Sequence, residues 1–379
     1  MRPSISVQTP SSIRLKGSIH ARLTAGVAAL LVFLAGCGAT GGSSPSPTPA
    51  PVSTPATTAP ATSTATATVA PTVTPVVMAT PALTATPEPA AAFPMTVTDD
   101  EGTAVEIAQQ PERIVSLAPS NTEIVFALGA GERLVAGTDA DDYPAEAAAL
   151  PDAVLQTKVL KEQIAALRPD LILAYGNGFT PPADVTQLRA LGYPVLVVYA
   201  SSLVTAEKDI TLIGTALGAP TEAAAILEEV HAQFDAIEAV VPATAPRPRT
   251  FYEVGYGPGI YTPSADSAYA EMITLAGGDP ITTDASFTIS LEALVEADPE
   301  VILLGDAAYG VCPDQVAGRD GWQTMTAVKD DAIRPAFDTV VTRPGPRLPL
   351  GLASLVRGIH PEVTLPAGIP PDPVLCAAP

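Results

Sequence analysis

From Phe93 onward, short apolar runs alternate with longer stretches whose apolar residues recur at helical spacing. Met95 to Thr98 and Thr103 to Ile107 alternate apolar and polar residues around Asp99-Asp100-Glu101-Gly102, which predicts a hairpin. Arg113 to Pro119 predicts a buried strand. Ser120-Asn121-Thr122-Glu123 then reads as a capping box, with serine at the cap and glutamate three residues later, opening a helix that Gly129 stops. Leu134 to Thr138 predicts the next strand and leads into the acidic loop Asp139-Ala140-Asp141-Asp142-Tyr143-Pro144. A helix over Asp184–Leu191, a strand over Tyr193–Tyr199 and a helix over Leu203–Leu217 follow. Regular alternation of strand and helix predicts largely parallel sheet with helices on both faces.

One pattern occurs twice. Glu162-Gln-Ile-Ala-Ala-Leu-Arg-Pro169-Asp-Leu-Ile-Leu173 is matched by Glu292-Ala-Leu-Val-Glu-Ala-Asp-Pro299-Glu-Val-Ile-Leu303. Each copy opens with glutamate, breaks at a proline, follows it with an acid and runs into Ile-Leu. A helix does not easily pass a proline, and the residue before one is biased out of the helical region. Each copy therefore predicts a helix followed by a buried strand, and the pair predicts two similar lobes. Between them, Ile226, Leu227, Val230, Phe234, Ile237 and Val241 recur at three- and four-residue steps after Pro220 and before Pro242. That stretch, 220–242, predicts a long helix connecting a first lobe (93–219) to a second (243–379). In the second lobe, strands are predicted at Thr250–Val254 and Ile333–Phe337. Helices are predicted at Asp266–Leu275, Trp322–Val328 and after Pro346. The fold class is α/β: two Rossmann-like lobes joined by one long helix, with a ligand cleft between the lobes.

The first part of the chain does not share this patterning. Arg2, Arg14, Lys16 and Arg22 precede an apolar run from Leu23 to Leu34, too short for a membrane span but suited to a signal-peptide core. Leu34-Ala35-Gly36-Cys37 resembles a bacterial lipoprotein box, so residues 1–37 are expected to direct export and Cys37 to carry lipid. Residues 38–92 are rich in Thr, Pro, Ala and Ser with almost no charge, a composition that makes a disordered tether. Two cysteines remain, Cys312 and Cys376. In an exported chain they most simply pair, with two free thiols as the alternative. A formal net charge of −21 argues against nucleic acid and against an anionic lipid surface as partners.

Arg113-Ile-Val-Ser-Leu-Ala-Pro-Ser-Asn-Thr-Glu123, Asp142-Tyr-Pro144, Glu162 to Leu173, Ala276-Gly-Gly278, Ser290-Leu-Glu292 and Arg343-Pro-Gly-Pro-Arg347 occur in this order over Phe93–Pro361. Together they resemble the ferric-siderophore and cobalamin solute-binding proteins of ABC importers, and the lipobox and tether are similar to those of their lipoprotein members. The resemblance implies two α/β lobes on one long helix. It also implies a metal chelate held between them, namely a ferric siderophore, a cobalamin-like corrinoid or haem. A glutamate at the tip of each lobe, Glu162 and Glu292, would dock on a permease dimer served by ATPase subunits. Acids are also simply favoured at helix N-termini. Localisation would be the extracytoplasmic face of the cell membrane, in periplasm or at the cell surface.

Ligands of parallel α/β sheets sit off the carboxyl ends of the strands. Those ends carry Ser120 and Asn121, Tyr143, Tyr175, Tyr256 and Tyr261, while Phe287 and Arg343 fall in loops of the second lobe. Aromatic walls suit a large flat chelate, and an arginine suits a carboxylate or amide on its rim. Any single tyrosine is equally explained by packing, and Arg343 by a surface charge. Asp139, Ala140 and Asp141 offer no ring before the Asp-Tyr-Pro triplet, and Gln156-Thr157-Lys158 offers none before Glu162. Both absences weaken cobalamin relative to a siderophore.

No resident cofactor or bare metal is expected. His231 and His360 stand apart with no cluster, and a solvated loop explains Asp139, Asp141 and Asp142 as well as calcium does. The competing classes are an exported hydrolase and a wall-associated adhesin. The chain has no nucleophile elbow, phosphate loop or zinc-helix motif, so no catalytic residue is assigned. Gly255-Tyr256-Gly257-Pro258-Gly259 is interrupted by proline and opens no helix, so it is no dinucleotide site.

Overall fold

The computed structural model describes residues 92–243, 246–284 and 286–376. The leader, Cys37 and the tether up to residue 91 lie outside the described residues.

The first lobe opens with the hairpin β1 (Met95–Thr98) and β2 (Ala104–Ile107), in which Met95 pairs with Ile107. There follow β3 (Ile114–Ser116), α1 (Pro119–Ala127), β4 (Leu134–Thr138), β5 (Asp152–Leu155), β6 (Lys158–Val159), α2 (Lys161–Leu167), β7 (Leu171–Tyr175), α3 (Pro182–Ala190) and β8 (Val195–Val198). The sheet order is β6-β5-β4-β3-β7-β8, parallel apart from the β5–β6 pair. Successive strands go to opposite sides of β3, so the strand order reverses there and opens a crevice at the carboxyl ends. The central strands are buried on both faces, as a parallel sheet covered by helices requires. Ile114, Leu171, Leu173, Leu196 and Val198 pack on one face; Val115, Ile172, Ala174, Val195 and Val197 pack on the other.

Helix α4 (Leu203–Ala216) leads into α5 (Pro220–Glu238). With 19 residues, α5 is about 28 Å long. The second lobe contains β9 (Arg249–Glu253), β10 (Gly255–Tyr256), β11 (Ile260–Tyr261), α6 (Ala268–Leu275), β12 (Asp279–Ile281), β13 (Thr288–Ile289), α7 (Leu291–Ala297) and β14 (Val301–Leu304). It is completed by α8 (Pro313–Ala317), α9 (Thr326–Lys329), β15 (Ile333–Pro335), α10 (Asp338–Val341) and α11 (Leu348–Ile359). Its parallel sheet runs β12-β9-β14-β15, and β10-β11-β13 form a small antiparallel sheet beside it. Phe251, Ile302 and Leu304 face a core that holds Trp322, while Tyr252, Val301 and Leu303 face α6 and α11.

The sequence repeat is a structural repeat. In both lobes the helix ends on a residue in the left-handed region directly before the proline, Arg168 (φ 48) and Asp298 (φ 45). In both, the acid after the proline receives backbone N–H groups at the start of the neighbouring strand. Asp170 accepts from Glu112 and Arg113 at 2.9 Å each, and Glu300 from Arg249 at 3.0 Å. In both, an arginine of that strand covers the last carbonyls of the helix. Arg113 Nε reaches Leu167 O at 3.0 Å, and Arg249 Nε reaches Ala297 O at 3.1 Å and Asp298 O at 2.8 Å. The repeat thus encodes a joint that clamps helix end to strand start, and it leaves Glu162 and Glu292 exposed in the first turns of α2 and α7.

Two local expectations are corrected. Ser120 does not cap α1: Ala118 is the cap residue and Pro119 the first helical residue, with no side-chain cap bond. Proline brings a fixed φ and no N–H to satisfy, so it starts the helix two residues earlier than the serine would. Glu123 is thereby freed from a capping role. The helix expected over Trp322–Val328 is instead a 3-10 turn, Trp322–Thr324, followed by α9, because Met325 between them is extended. Cys312 and Cys376 are joined in a disulfide at a sequence separation of 64.

Candidate ligand-binding cleft

The carboxyl ends of β3 and β4 are occupied by a polar network rather than by open surface. The Thr122 hydroxyl lies 2.8 Å from Asp141 Oδ2, and the Thr138 hydroxyl donates to Asp141 Oδ1 at 2.7 Å. Burial raises the Asp141 carboxyl above its ordinary value against the pull of these bonds. Asp141 is thus committed to holding the acidic loop, and no group of His, Cys, Asp and Glu able to hold a metal occurs among the described residues. Ser120 and Asn121 are buried in α1. Asn121 Nδ2 donates to Ala174 O at 3.3 Å, and its Oδ1 is buried without a partner among the described residues.

The ends of β7 and β8 carry an aromatic group. Tyr175 meets Phe179 and Tyr199 edge to face, each at 5.7 Å between ring centroids. Asn177 (φ 55) and Gly178 (φ 79) turn the chain tightly after Tyr175, which brings the Phe179 ring back over it with half its surface exposed. Asn177 Nδ2 donates to Tyr199 Oη at 2.9 Å. Burial pushes the Tyr175 hydroxyl far above its ordinary value, and nearby Tyr269 and Asp209 add to this. Tyr269 stands on α6, so this group reaches the second lobe. Its own hydroxyl is pushed up to about 12, by burial first and Asp338 second.

In the second lobe Tyr261 and Phe287 line a small, mostly apolar cavity of about 250 Å³ together with Val254, Pro263 and Tyr269. Phe287 is in the left-handed region (φ 56) and partly exposed, and its carbonyl accepts the Thr262 N–H at 3.1 Å. Tyr256, 51 % exposed, lies against the Arg319 guanidinium, which is 3.8 Å from its ring centroid.

Arg343 does not face open space. Its Nη1 donates to Glu123 Oε1 at 3.1 Å and to Asp142, and its Nη2 to Ala140 O at 3.1 Å. Arg347 grips the same Glu123, Nε to Oε2 at 2.8 Å and Nη2 to Oε1 at 2.5 Å, and lies 4.0 Å from the Tyr143 ring centroid. Two arginines of the second lobe therefore close on one buried glutamate of the first. A cavity of about 950 Å³ opens beside this junction, with walls from both lobes and from α5 and with Tyr143 at its edge.

The predicted residues therefore do not form one continuous surface. Tyr175 belongs to a first-lobe aromatic group, Tyr261 and Phe287 to the second-lobe cavity, Tyr256 to the opposite face of the small sheet against Arg319 and Trp322, Tyr143 and Arg343 to the interlobe junction, and Ser120 and Asn121 to the interior. Sequence reasoning missed Phe179, Tyr199, Tyr269, Arg319 and Trp322. One signal was available: Glu253 interrupts the apolar strand Thr250–Val254, and a buried acid calls for a cation such as Arg319.

The sequence profile of the periplasmic binding proteins matches residues 114–334. The chain belongs to that family. A relative from Bacillus subtilis, the ABC transporter substrate-binding lipoprotein YvrC, is 34% identical over 276 residues, covering 71% of this chain and 87% of the relative. A vitamin B12-binding protein of Yersinia pestis is 31% identical over 200 residues, 52% of this chain and 70% of that one. Among solved structures, the periplasmic haem-binding protein RhuT of Roseiflexus aligns at a TM-score of 0.59 with 27% identity, covering 66% of this chain and 98% of that one. The vitamin B12-binding protein BtuF of Vibrio cholerae aligns at 0.53 with 26% identity, 66% and 97%. These relatives are named for binding a substrate, vitamin B12 or haem. No helix among the described residues is long and apolar enough to cross a membrane.

Proposed function

We propose that this protein is the extracytoplasmic solute-binding component of an ABC importer, anchored through lipid on Cys37 and a flexible tether, and that it captures a metal chelate between its lobes for delivery to a permease with its ATPase subunits. The observation that carries this reading is a pair of aromatic groups, Tyr175 with Phe179 and Tyr199 on one lobe and Tyr261, Phe287 and Tyr269 around a small apolar cavity on the other, with Tyr269 close enough to Tyr175 to perturb its hydroxyl. Aromatic faces grip a large flat ligand through buried area with little rotamer cost. No chemistry on the ligand is required of these residues. The relatives that bind vitamin B12, haem and iron support a chelate as cargo.

Charge narrows the class. Arg319, Arg343 and Arg347 are each already bound to a carboxylate, and the chain is strongly acidic. A chelate of low net charge, such as a corrinoid or a ferric trihydroxamate, fits these walls better than a catecholate complex or haem, whose anionic groups need a free cation. Glu162 and Glu292, exposed at equivalent positions of the two repeats, are the docking acids of this reading.

The test mixes the protein with cyanocobalamin, haemin, a ferric trihydroxamate and a ferric catecholate separately, removes free ligand by desalting, and records the visible spectrum. Retention of one of the two low-charge chelates at one per chain is the expected result. Retention of only an anionic one removes the charge argument, and no retained colour with any of them removes the chelate reading.

A further inference from the structure

Arg319 lies between α8 and the turn at Trp322. Its Nη1 donates to Glu253 Oε2 at 2.5 Å and its Nη2 to Oε1 at 2.9 Å, a two-pronged grip on a carboxylate that is 0% exposed. The same guanidinium lies 3.8 Å from the Tyr256 ring centroid and 4.7 Å from that of Trp322, and the two rings meet edge to face at 6.0 Å. Tyr256 is half exposed, and its buried side rests on the Arg319 cation and the edge of Trp322. A second acid, Asp306 in the turn after β14, is buried close by, and its Oδ1 has no partner among the described residues.

We propose that Glu253, Asp306 and Arg319 form a proton-dependent mount that holds the half-exposed Tyr256 ring just beyond the carboxyl end of β9 and loosens when the buried acid pair gives up its shared proton. The proposal rests on reading the cleft as the ligand site for its purpose, but not for its existence. Two buried carboxyls beside one guanidinium leave one negative charge uncompensated, and the less costly state keeps a proton on one of them. Burial first, and the Glu253 carboxylate second, push Asp306 up to about 7, while Arg319 pulls the other way.

The other groups packed around this turn are already engaged. The Tyr252 hydroxyl of β9 donates to Asp338, the acid of α10, at 2.8 Å, and the Arg334 guanidinium of β15 donates to Gly358 O at 2.9 Å. Arg319 is therefore the cation that Asp306 meets. While Asp306 is protonated, Arg319 serves Glu253 alone and lies flat on Tyr256. Once Asp306 ionises, two carboxylates compete for one guanidinium and draw it off the ring. Arg319 is a positioning residue: it acts through Tyr256.

Trp322 is the single tryptophan of the chain and lies fully buried behind Arg319 and Tyr256, so its accessibility reports the mount directly. Acrylamide quenching of its fluorescence is measured in the purified, ligand-free full chain from pH 5.5 to 8.5. Quenching should rise about twofold to fivefold with a midpoint near pH 7, the population change expected for losing one cation–π contact. Asp306→Asn should stay at the low-pH level throughout, since asparagine keeps the neutral form. Arg319→Lys should be highly quenched at every pH, because an ammonium cannot stack as a planar guanidinium does. Flat wild-type quenching, or a transition that survives in Asp306→Asn, overturns the proposal. The readout needs no ligand, so failure to bind any chelate would count against the cleft reading and leave this result standing.

Discussion

Glu123→Gln isolates one contact between the lobes that lies away from helix α5. Glu123 is 3% exposed and receives both Arg343 and Arg347. Breaking a buried ion pair from one side costs about 3–5 kcal/mol, because the remaining charge stays buried and unpaired. The two arginines are not left equally stranded. Arg343 retains Asp142 and the Ala140 carbonyl, whereas Arg347 loses both of its bonds to Glu123 and keeps its contact with the Tyr143 ring. Glutamine still offers one acceptor oxygen. The expected loss is therefore near the low end, about 3 kcal/mol. The partner comparison is Asp142→Asn. The Asp142 side chain is 60% exposed, so its removal should cost less than about 1 kcal/mol.

The assay is urea unfolding followed by two probes, far-ultraviolet circular dichroism for the whole chain and Trp322 fluorescence for the second lobe alone. In wild type the two transitions should coincide. In Glu123→Gln both should move to lower urea together, since the lobes stay joined through α5 and through Ser201, Leu203 and Ala206 against α6. A loss below about 0.5 kcal/mol would refute the reasoning, and would mean that the arginines find water or other partners at no cost.

Three further outcomes follow from particular contacts. Replacing Cys312 and Cys376 by serine opens the loop set by their 64-residue separation and should cost about 4 kcal/mol, read as a drop in the unfolding free energy that reductant reproduces in wild type and not in the variant. Asp209 on α4 is pushed up to about 9, by burial first and the hydrogen bond with Asp100 second. The native state therefore holds a proton that the unfolded chain releases near pH 4, so this group's contribution to stability is complete below about pH 4 and is lost as the pH rises towards 9. Asp209→Asn should flatten that fall and gain at least about 1 kcal/mol on wild type between pH 4.5 and 8; an unchanged slope would remove the assignment. Glu162→Arg combined with Glu292→Arg should leave chelate affinity within about twofold and abolish uptake by cells, because exposed ion pairs set docking register and encounter rate and neither residue lies in the cleft. Lost affinity would overturn the docking role.

The elements that pattern alone identified are those with strong local causes. The repeat was legible because a proline, the acid after it and an apolar run have fixed consequences in each lobe, and the structure adds that Asp170 and Glu300 clamp the neighbouring strand. Helix α5 was legible from its apolar stripe. The start of α1 was misread because Pro119 and Ser120 compete for the first turn, and the geometry of proline prevails over the serine hydroxyl. The second-lobe wall was only half legible. Tyr256 and Tyr261 sit at a strand end that sequence can locate, but Arg319 reaches Tyr256 from a loop 63 residues later, as the numbering shows, and only the fold brings it there. Arg343 was read as a ligand contact from its motif. Its pairing with Glu123 depends on the angle between the lobes, which no local pattern encodes.

The central claim is that the aromatic walls hold the ligand. Calorimetric titration of the retained chelate into wild type and into Tyr261→Ala combined with Phe287→Ala tests it most directly. These two side chains flank the same second-lobe cavity and take no part in the Glu123 junction. The account predicts one ligand per chain in wild type and at least tenfold weaker binding in the variant, about 1.4 kcal/mol or more, with the unfolding free energy little changed. Equal affinity in both proteins would contradict it and place the ligand elsewhere.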